Sequence, residues 1–196
     1  MNLFEELFYK PWVSPAFYPM PVEHWAFFNY VLITFPLIEF LPGYPSSSRR
    51  TKKPQIIVLH HTGSLDPAKA LKWFGNPNNY ASTHWLINLD GRIQQLVLEE
   101  SAALHVSGGV YKHSRLVNES SFGIHLVGDG YNRFTEAQYE GLAMLCIYLQ
   151  KKYGLRDEDI LKHSELETTN STPPANDPTP LNKEKLQEML DKFKNI

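Results

Sequence analysis

The sequence predicts an α/β domain with a mixed central β-sheet flanked by helices, preceded by an aromatic- and proline-rich N-terminal arm. Over residues 55–196, short apolar runs typical of buried strands alternate with helical segments, which favours a sheet covered by helices. One Asp-Gly dipeptide between two apolar runs predicts an antiparallel hairpin, so we expect a mixed sheet. Residues 1–45 hold 13 of the 25 aromatic residues. The polar, basic residues 46–54 indicate a linker, so the predicted division is 1–54 and 55–196.

Local sequence patterns locate each predicted element along the chain. Residues 55–60 form a continuous apolar run typical of a buried strand, and Asp66-Pro67 has the pattern of a helix start. Thr135 and Gln138 have the spacing of a capping box at the start of the clearest helix. The further predicted elements are a helix over 67–74, hairpin strands over 83–89 and 92–98, a strand over 122–127, a helix over 135–153, a strand over 159–163 and a helix over 182–194.

The composition excludes several classes of protein. Nineteen basic and 21 acidic residues give a formal charge of −2, so we expect no nucleic-acid partner. The single cysteine, Cys146, excludes an intramolecular disulfide framework, and its helical spacing favours a buried core position. Any bound metal would therefore need histidine and carboxylate ligands, and the chain has eight histidines.

The N-terminal arm supports two interpretations. Its longest uncharged run, residues 25–38, has 14 residues, whereas a membrane-spanning helix needs roughly 20 apolar ones. Glu5 and Glu6 stand where a secretory signal carries basic residues, so no signal peptide is predicted. The aromatic side chains either pack on the main domain or form a segment that contacts a membrane surface or a partner.

Two histidines occupy positions where α/β sheets bind ligands. His60 and His163 each follow an apolar strand, and the carboxyl ends of such strands present polar groups over a rigid scaffold. With a carboxylate from a later loop, of which Asp177 is the best candidate, they have the donor types of a catalytic zinc site with one open position. Spacing alone favours the alternative, in which His60 and His163 are hydrogen-bonded structural residues at strand ends.

Five blocks of sequence strengthen the zinc interpretation. They are residues 56–62 (IIVLHHT), 82–91 (STHWLINLDG), 103–108 (ALHVSG), 121–128 (SFGIHLVG), and Lys162-His163-Ser164 with the later Asp177-Pro178. In this order they resemble the type-2 N-acetylmuramoyl-L-alanine amidases, the zinc hydrolases related to peptidoglycan recognition proteins. The resemblance covers about residues 55–190 and leaves residues 1–54 outside.

The resemblance implies a fold, a reaction and a set of site residues. The reaction is hydrolysis of the amide between N-acetylmuramic acid and the L-alanine of the stem peptide, in peptidoglycan or muropeptides. The cofactor is Zn²⁺, with His60, His163 and Asp177 as ligands, and His125 stands at the position of the catalytic general base. The positions implied to contact substrate are His61, Thr62, His84 and His105.

The chain departs from the family pattern at sensitive positions. His125 replaces a glutamate, although an imidazole with a reference pKa near 6.5 suits proton transfer. Thr83 stands where some members have a tyrosine, and a threonine hydroxyl cannot act as a base. Ala175 replaces a lysine that steadies the oxyanion, for which Lys162 or Arg115 are the candidate substitutes.

The loop before Asp177 is a further departure. Asp177 follows His163 by 14 positions, a longer spacing than in the glutamate-bearing relatives. Glu165 and Glu167 are therefore the alternative third ligands, although a carboxylate so close to His163 would strain a shared tetrahedral site.

Three hypotheses about function follow. The first is an active zinc amidase in cell-wall lysis or muropeptide recycling, endolysin-like, cytoplasmic as synthesised and released to act on the wall. The second is a catalytically weak or inactive peptidoglycan-binding module, because the glutamate and the lysine are missing. The third makes the N-terminal arm the active part, in contact with a membrane or a partner. We favour the first, because the predicted zinc ligands are all retained.

Overall fold

The computed structural model describes residues 38–41, 49–107, 109–112, 114, 116–168 and 177–195. The chain divides into two compact units, residues 1–31 and 32–196, and every described residue lies in the second. Most of the predicted N-terminal arm therefore lies outside the described residues, and its membrane or partner contact and the boundary at residue 54 stay predictions. Within the described part, no helix is long and apolar enough to cross a membrane.

A mixed sheet of six strands forms the centre of the described unit. Its strands are β1 (Ile38–Phe40), β2 (Ile56–His61), β3 (Trp85–Ile87), β4 (Ile93–Gln95), β6 (Ser121–Leu126) and β7 (Ile160–Lys162), in the spatial order β1-β4-β3-β6-β2-β7. β3 and β4 are antiparallel, and the other neighbours are parallel. A separate antiparallel pair joins β5 (Gly109–Val110) and β8 (Glu167–Thr168). The predicted mixed sheet is confirmed.

Three predicted helices are found within one residue of their predicted bounds: α1 (Pro67–Phe74), α3 (Glu136–Tyr153) and α4 (Lys183–Lys194). A short fourth helix, α2 (Val117–Ser120), was not predicted and has no capping side chain. The Asp66 carboxylate accepts a hydrogen bond from the Ala68 N–H at the start of α1. Thr135 and Gln138 form the predicted capping box of α3, and Gly154 ends that helix in the left-handed conformation, with φ of 73°.

The central strand β2 divides its side chains between the two faces of the sheet. Ile57 and Leu59 of β2 face the helices α3 and α4 and join the largest apolar cluster. Ile56 and Val58 face the other side and join a second cluster. Cys146 is fully buried in the first cluster, as predicted, and burial raises the pKa of its thiol. The even-numbered residues of β2, His60 among them, therefore lie on the face opposite α3.

The structure differs from the predicted elements in several places, among them α2 and the pair β5 and β8, which were not predicted. The hairpin strands pair over only three residues each, because the chain already turns between Asn88 and Arg92, where Gly91 has a positive φ of 82°. In addition, Ile38–Phe40 of the predicted arm pairs with β4 as the edge strand of the sheet. Three residues make too short a run to show strand periodicity, so the sequence pattern does not reveal this strand.

Candidate active site

Three histidine rings meet at the carboxyl edge of the sheet. His60 and His125 are register partners in the parallel pair β2 and β6. Their rings stack with centroids 4.4 Å apart and an interplanar angle of 9°. His163 begins a short 3₁₀ turn directly after β7, and its ring centroid lies 4.7 Å from that of His60. The sheet therefore brings together His60, His163 and His125, residues that are far apart in sequence.

Asp177 lies beside the backbone of this cluster. Its side chain is buried, and Oδ1 accepts a hydrogen bond of 2.7 Å from the backbone N–H of Ser164, the residue after His163. Oδ2 accepts a 3.1 Å hydrogen bond from the hydroxyl of Thr179. Within the described ranges, no three His, Cys, Asp or Glu side chains are grouped as a metal site. The Asp177 carboxylate is thus held by Ser164 and Thr179, next to the backbone that follows His163.

The alternative third ligands and the candidate oxyanion groups have other positions. The Glu165 carboxylate accepts hydrogen bonds from the Lys162 N–H, at 2.6 Å, and from the Lys183 ammonium, at 2.7 Å. Glu167 lies in β8, and Arg115 and Ala175 lie outside the described residues. Lys162 lines a cavity of about 600 Å³ between β7 and the start of α4. The other basic side chains of this cavity are Arg133, Lys183 and Lys185.

His125 is enclosed by side chains that set its protonation. Its Nδ1 lies 2.9 Å from the Thr83 hydroxyl, which itself lies 2.9 Å from the Gly123 carbonyl oxygen. Since that carbonyl can only accept, the hydroxyl donates to it and accepts from Nδ1–H, which leaves the His125 lone pair on Nε2. Phe74 packs edge-on against the ring at a centroid distance of 4.9 Å. Burial, with the nearby charges of His61 and His163, lowers the pKa of His125 to about 3.

His105 lies flat on Gly123, between His60 and Ser121. A Cβ atom at residue 123 would come within 2.4 Å of the His105 Cγ, so only glycine leaves room for the ring. His105 Nδ1 lies 3.0 Å from His60 Nε2, and His105 Nε2 lies 3.0 Å from the Ser121 hydroxyl. The Asn118 side-chain oxygen accepts the backbone N–H of His105 at 3.2 Å and fixes the main chain there.

His84 lies beneath the cluster and is fully buried. Its Nδ1 accepts the backbone N–H of Gly123 at 3.0 Å, and its Nε2 lies 2.8 Å from an Arg50 guanidinium nitrogen and 3.1 Å from the Ser101 carbonyl oxygen. Burial, with the Arg50 guanidinium beside it, lowers the pKa of His84 to about 3. This environment favours a structural role, and a direct substrate contact stays a prediction for His84.

Arg50 is a residue of the site that sequence reasoning missed. It belongs to the predicted linker, yet its guanidinium reaches the backbone carbonyls of Glu99, Ser101, Glu119 and Ser121 at 2.8 to 3.2 Å. Its Cζ also lies 4.8 Å from the centroid of the Phe122 ring. The neighbouring arginine and lysines have the same sequence signature as a solvated linker, so the pattern contains no signal that distinguishes Arg50.

His61 and Thr62 tie two loops together at the edge of the site. His61 Nδ1 accepts the Gly63 N–H at 2.9 Å, and the Thr62 hydroxyl donates to the Ser64 carbonyl at 2.8 Å. The Thr62 hydroxyl oxygen also accepts the Gly128 N–H at 3.2 Å. These bonds hold the loops after β2 and β6 against each other, and contact of either side chain with substrate stays a prediction.

Comparison with known proteins gives consistent relatives. A family model described as N-acetylmuramoyl-L-alanine amidase matches residues 50–180. The 1,6-anhydro-N-acetylmuramyl-L-alanine amidase AmpD of Enterobacter cloacae is 28% identical over 142 residues, which are 63% of this chain and 75% of that protein. AmpD of Escherichia coli K12 is 31% identical over 115 residues, which are 58% of this chain and 62% of that protein.

Solved structures show the same fold. The crystal structure of a selenomethionine derivative of AmpD matches with a TM-score of 0.67 and 23% identity, over 80% of this chain and 96% of that one. The amidase AmiD of Escherichia coli, solved with anhydro-N-acetylmuramic acid-L-Ala-D-γ-Glu-L-Lys, matches with a TM-score of 0.59 and 20% identity, over 74% of this chain and 60% of that one. The predicted fold class is confirmed.

Proposed function

The chain belongs to the N-acetylmuramoyl-L-alanine amidase family, and from this membership we propose that it hydrolyses the amide between N-acetylmuramic acid and L-alanine in soluble muropeptides. The observation that carries the proposal is the convergence of His60, His163 and His125, with rings 4.4 to 4.7 Å apart around His60, at the carboxyl edge of the sheet. The names of the AmpD relatives support a 1,6-anhydro muropeptide as the substrate. Recycling of wall fragments is therefore favoured over lysis of intact wall.

Zinc is the proposed cofactor, and the donor chemistry of the site fits it. Buried imidazole nitrogens and a carboxylate are ligands that zinc prefers, and His60 and His163 are already adjacent. Asp177 is the proposed third ligand, because its hydrogen bond to the Ser164 N–H holds it next to His163. Each carboxylate oxygen has two lone pairs, so the present bonds of Asp177 leave acceptor capacity. When bound, zinc supplies Lewis acidity that makes a water molecule more acidic and polarises the scissile carbonyl.

His125 is the proposed general base. Thr83 accepts its Nδ1–H, so Nε2 has a lone pair to accept the proton of the attacking water. The protonated ring then gives that proton to the leaving amine of L-alanine. Thr83 contributes by holding Nδ1–H through its hydroxyl. His125 thus stands where many family members have a glutamate for proton transfer, and Thr83 stands where some members have a tyrosine.

The basic cavity beside β7 is proposed to attract the anionic stem peptide. Arg133, Lys162, Lys183 and Lys185 line it, while Glu184 is its acidic member. Lys162 pairs with Leu59 of β2, so its side chain lies on the α3 face of the sheet, opposite His60, and the cavity acts on the substrate through its charge at a distance. Long-range attraction of this kind raises the rate of substrate association and weakens with salt.

The test is hydrolysis of a 1,6-anhydro muropeptide and of intact peptidoglycan, read as newly released L-alanine amino groups. We expect turnover of the soluble substrate that a chelator abolishes and zinc restores. His60→Ala should lose at least about 100-fold in kcat/KM, because a metal ligand is removed. Lys192→Ala, an exposed change on α4, is the matched control and should keep full activity. Tight binding without turnover would instead favour the recognition module.

A further inference from the structure

A chain of hydrogen bonds runs from a backbone carbonyl to His60, and its direction follows from counting protons. The Ser121 hydroxyl lies 2.6 Å from the Val117 carbonyl oxygen, which can only accept. The single hydroxyl proton therefore points to Val117. The Ser121 oxygen must then accept from His105 Nε2–H, 3.0 Å away.

The same count extends to His60. The bond to Ser121 uses the proton on His105 Nε2. A neutral His105 with its proton on Nε2 has its lone pair on Nδ1. That lone pair accepts from His60 Nε2–H at 3.0 Å, with the two rings nearly perpendicular at 82°. The His60 lone pair is then on Nδ1.

We propose that Ser121, acting through His105, holds His60 in the Nε2–H tautomer and so reserves its Nδ1 for the metal. Ser121 and His105 are positioning residues, because they act on the ligand and not on substrate. Their part in metal binding rests on the proposed function, whereas the tautomer of His60 does not. A histidine ligand commonly donates its second N–H to a carboxylate, carbonyl or water, and here a second histidine takes that place.

Neighbouring residues hold the hydrogen-bond relay formed by Ser121, His105 and His60 in place. Gly123 provides the flat surface on which the His105 ring lies, and Asn118 fixes the His105 backbone. The Ser121 carbonyl accepts a 3.0 Å hydrogen bond from the Arg50 guanidinium, so the start of β6 is held from the other side. Residues of α2, of β6 and of the segment before β2 thus hold the relay in position.

Without the Ser121 hydroxyl, the direction of the relay can reverse. His105 would have no acceptor for Nε2–H and would place its proton on Nδ1, which then donates to His60 Nε2. The His60 proton would move to Nδ1 and occupy the nitrogen that the metal needs. Ser121→Ala should therefore change a tautomer as well as remove a bond.

The deciding measurement is the ring ¹⁵N spectrum of His60 in the full-length, metal-free protein at neutral pH. Long-range ¹H–¹⁵N correlations distinguish a protonated ring nitrogen from one with a lone pair. We expect the Nε2–H tautomer in the wild type and a clear Nδ1–H population in Ser121→Ala. His105→Phe keeps the ring shape over Gly123, removes both nitrogens and should give the same redistribution.

Ser120→Ala is the matched control. Ser120 is also buried and donates to the carbonyl four residues earlier, Leu116, at 3.1 Å, but none of its described hydrogen bonds involves a histidine. It should keep the wild-type tautomer. Zinc affinity, measured by competition with a chromophoric chelator, should fall about 10- to 100-fold in Ser121→Ala and stay unchanged in Ser120→Ala.

Two results would overturn the proposal. One is an Nδ1–H tautomer of His60 in the wild type, and the other is an unchanged tautomer in Ser121→Ala. Failure of the wild type to bind zinc would contradict the proposed cofactor, while the metal-free spectra would still decide the relay.

Discussion

Replacement of Arg50 by methionine should strongly destabilise the fold. The guanidinium reaches four backbone carbonyls, those of Glu99, Ser101, Glu119 and Ser121, which lie in two separate segments. A hydrogen bond to a charged group contributes about 1.5–3 kcal/mol. These contributions do not add fully, and water can replace some of them because the side chain is partly exposed. We therefore expect a loss of about 3–5 kcal/mol in the free energy of unfolding.

Urea denaturation of the metal-free protein, followed by circular dichroism, measures this loss. Arg49→Met is the matched control, because Arg49 is exposed and should change stability by less than about 0.5 kcal/mol. Arg50→Lys should be intermediate, since one ammonium cannot replace a planar fork of five donors. Equal urea midpoints for Arg49→Met and Arg50→Met would refute the reasoning, because Arg50 would then contribute no more to stability than an exposed linker residue.

Three further changes test other parts of the site. Thr83→Val removes the acceptor for His125 Nδ1–H and should lower kcat/KM about 10- to 100-fold. Thr83→Ser keeps the hydroxyl and should retain most activity. Equal kcat/KM values for Thr83→Val and the wild type would show that Thr83 has no part in the mechanism. Gly123→Ala puts a Cβ 2.4 Å from His105 Cγ and should lower the free energy of unfolding by about 1–3 kcal/mol. An unchanged urea midpoint would contradict the close contact between Gly123 and His105. The pKa of His84 is about 3 when folded and near 6.5 when unfolded, so the unfolded chain binds more protons between these values. Its contribution to stability should fall by about 1.4 kcal/mol per pH unit from pH 6.5 towards pH 3, and denaturation midpoints that do not fall over this range would contradict it.

The parts of the fold that depend on local patterns were predictable from the sequence. Asp66, Thr135 and Gly154 mark helix ends because capping needs particular side chains or a positive φ. The strand at residues 56–61 was predictable because it is buried on both faces and therefore apolar throughout. The edge strand at residues 38–40 was not, because a three-residue strand at a sheet edge has no required pattern.

The candidate site was predictable in part. His60 and His163 follow apolar strands, and the parallel pairing of those strands brings them together. The roles of Arg50, Ser121 and Thr83 depend on which side chains meet across the sheet, and no sequence spacing encodes those contacts. Each is an ordinary polar residue until the fold buries it beside a histidine.

Mass spectrometry of the products from one defined 1,6-anhydro muropeptide tests the central claim most directly. The proposed function predicts two products, the anhydro-N-acetylmuramic acid and a stem peptide with a free L-alanine amino group, formed only when zinc is present. Cleavage at any other bond, or an intact substrate after incubation with the zinc-loaded protein, would contradict it.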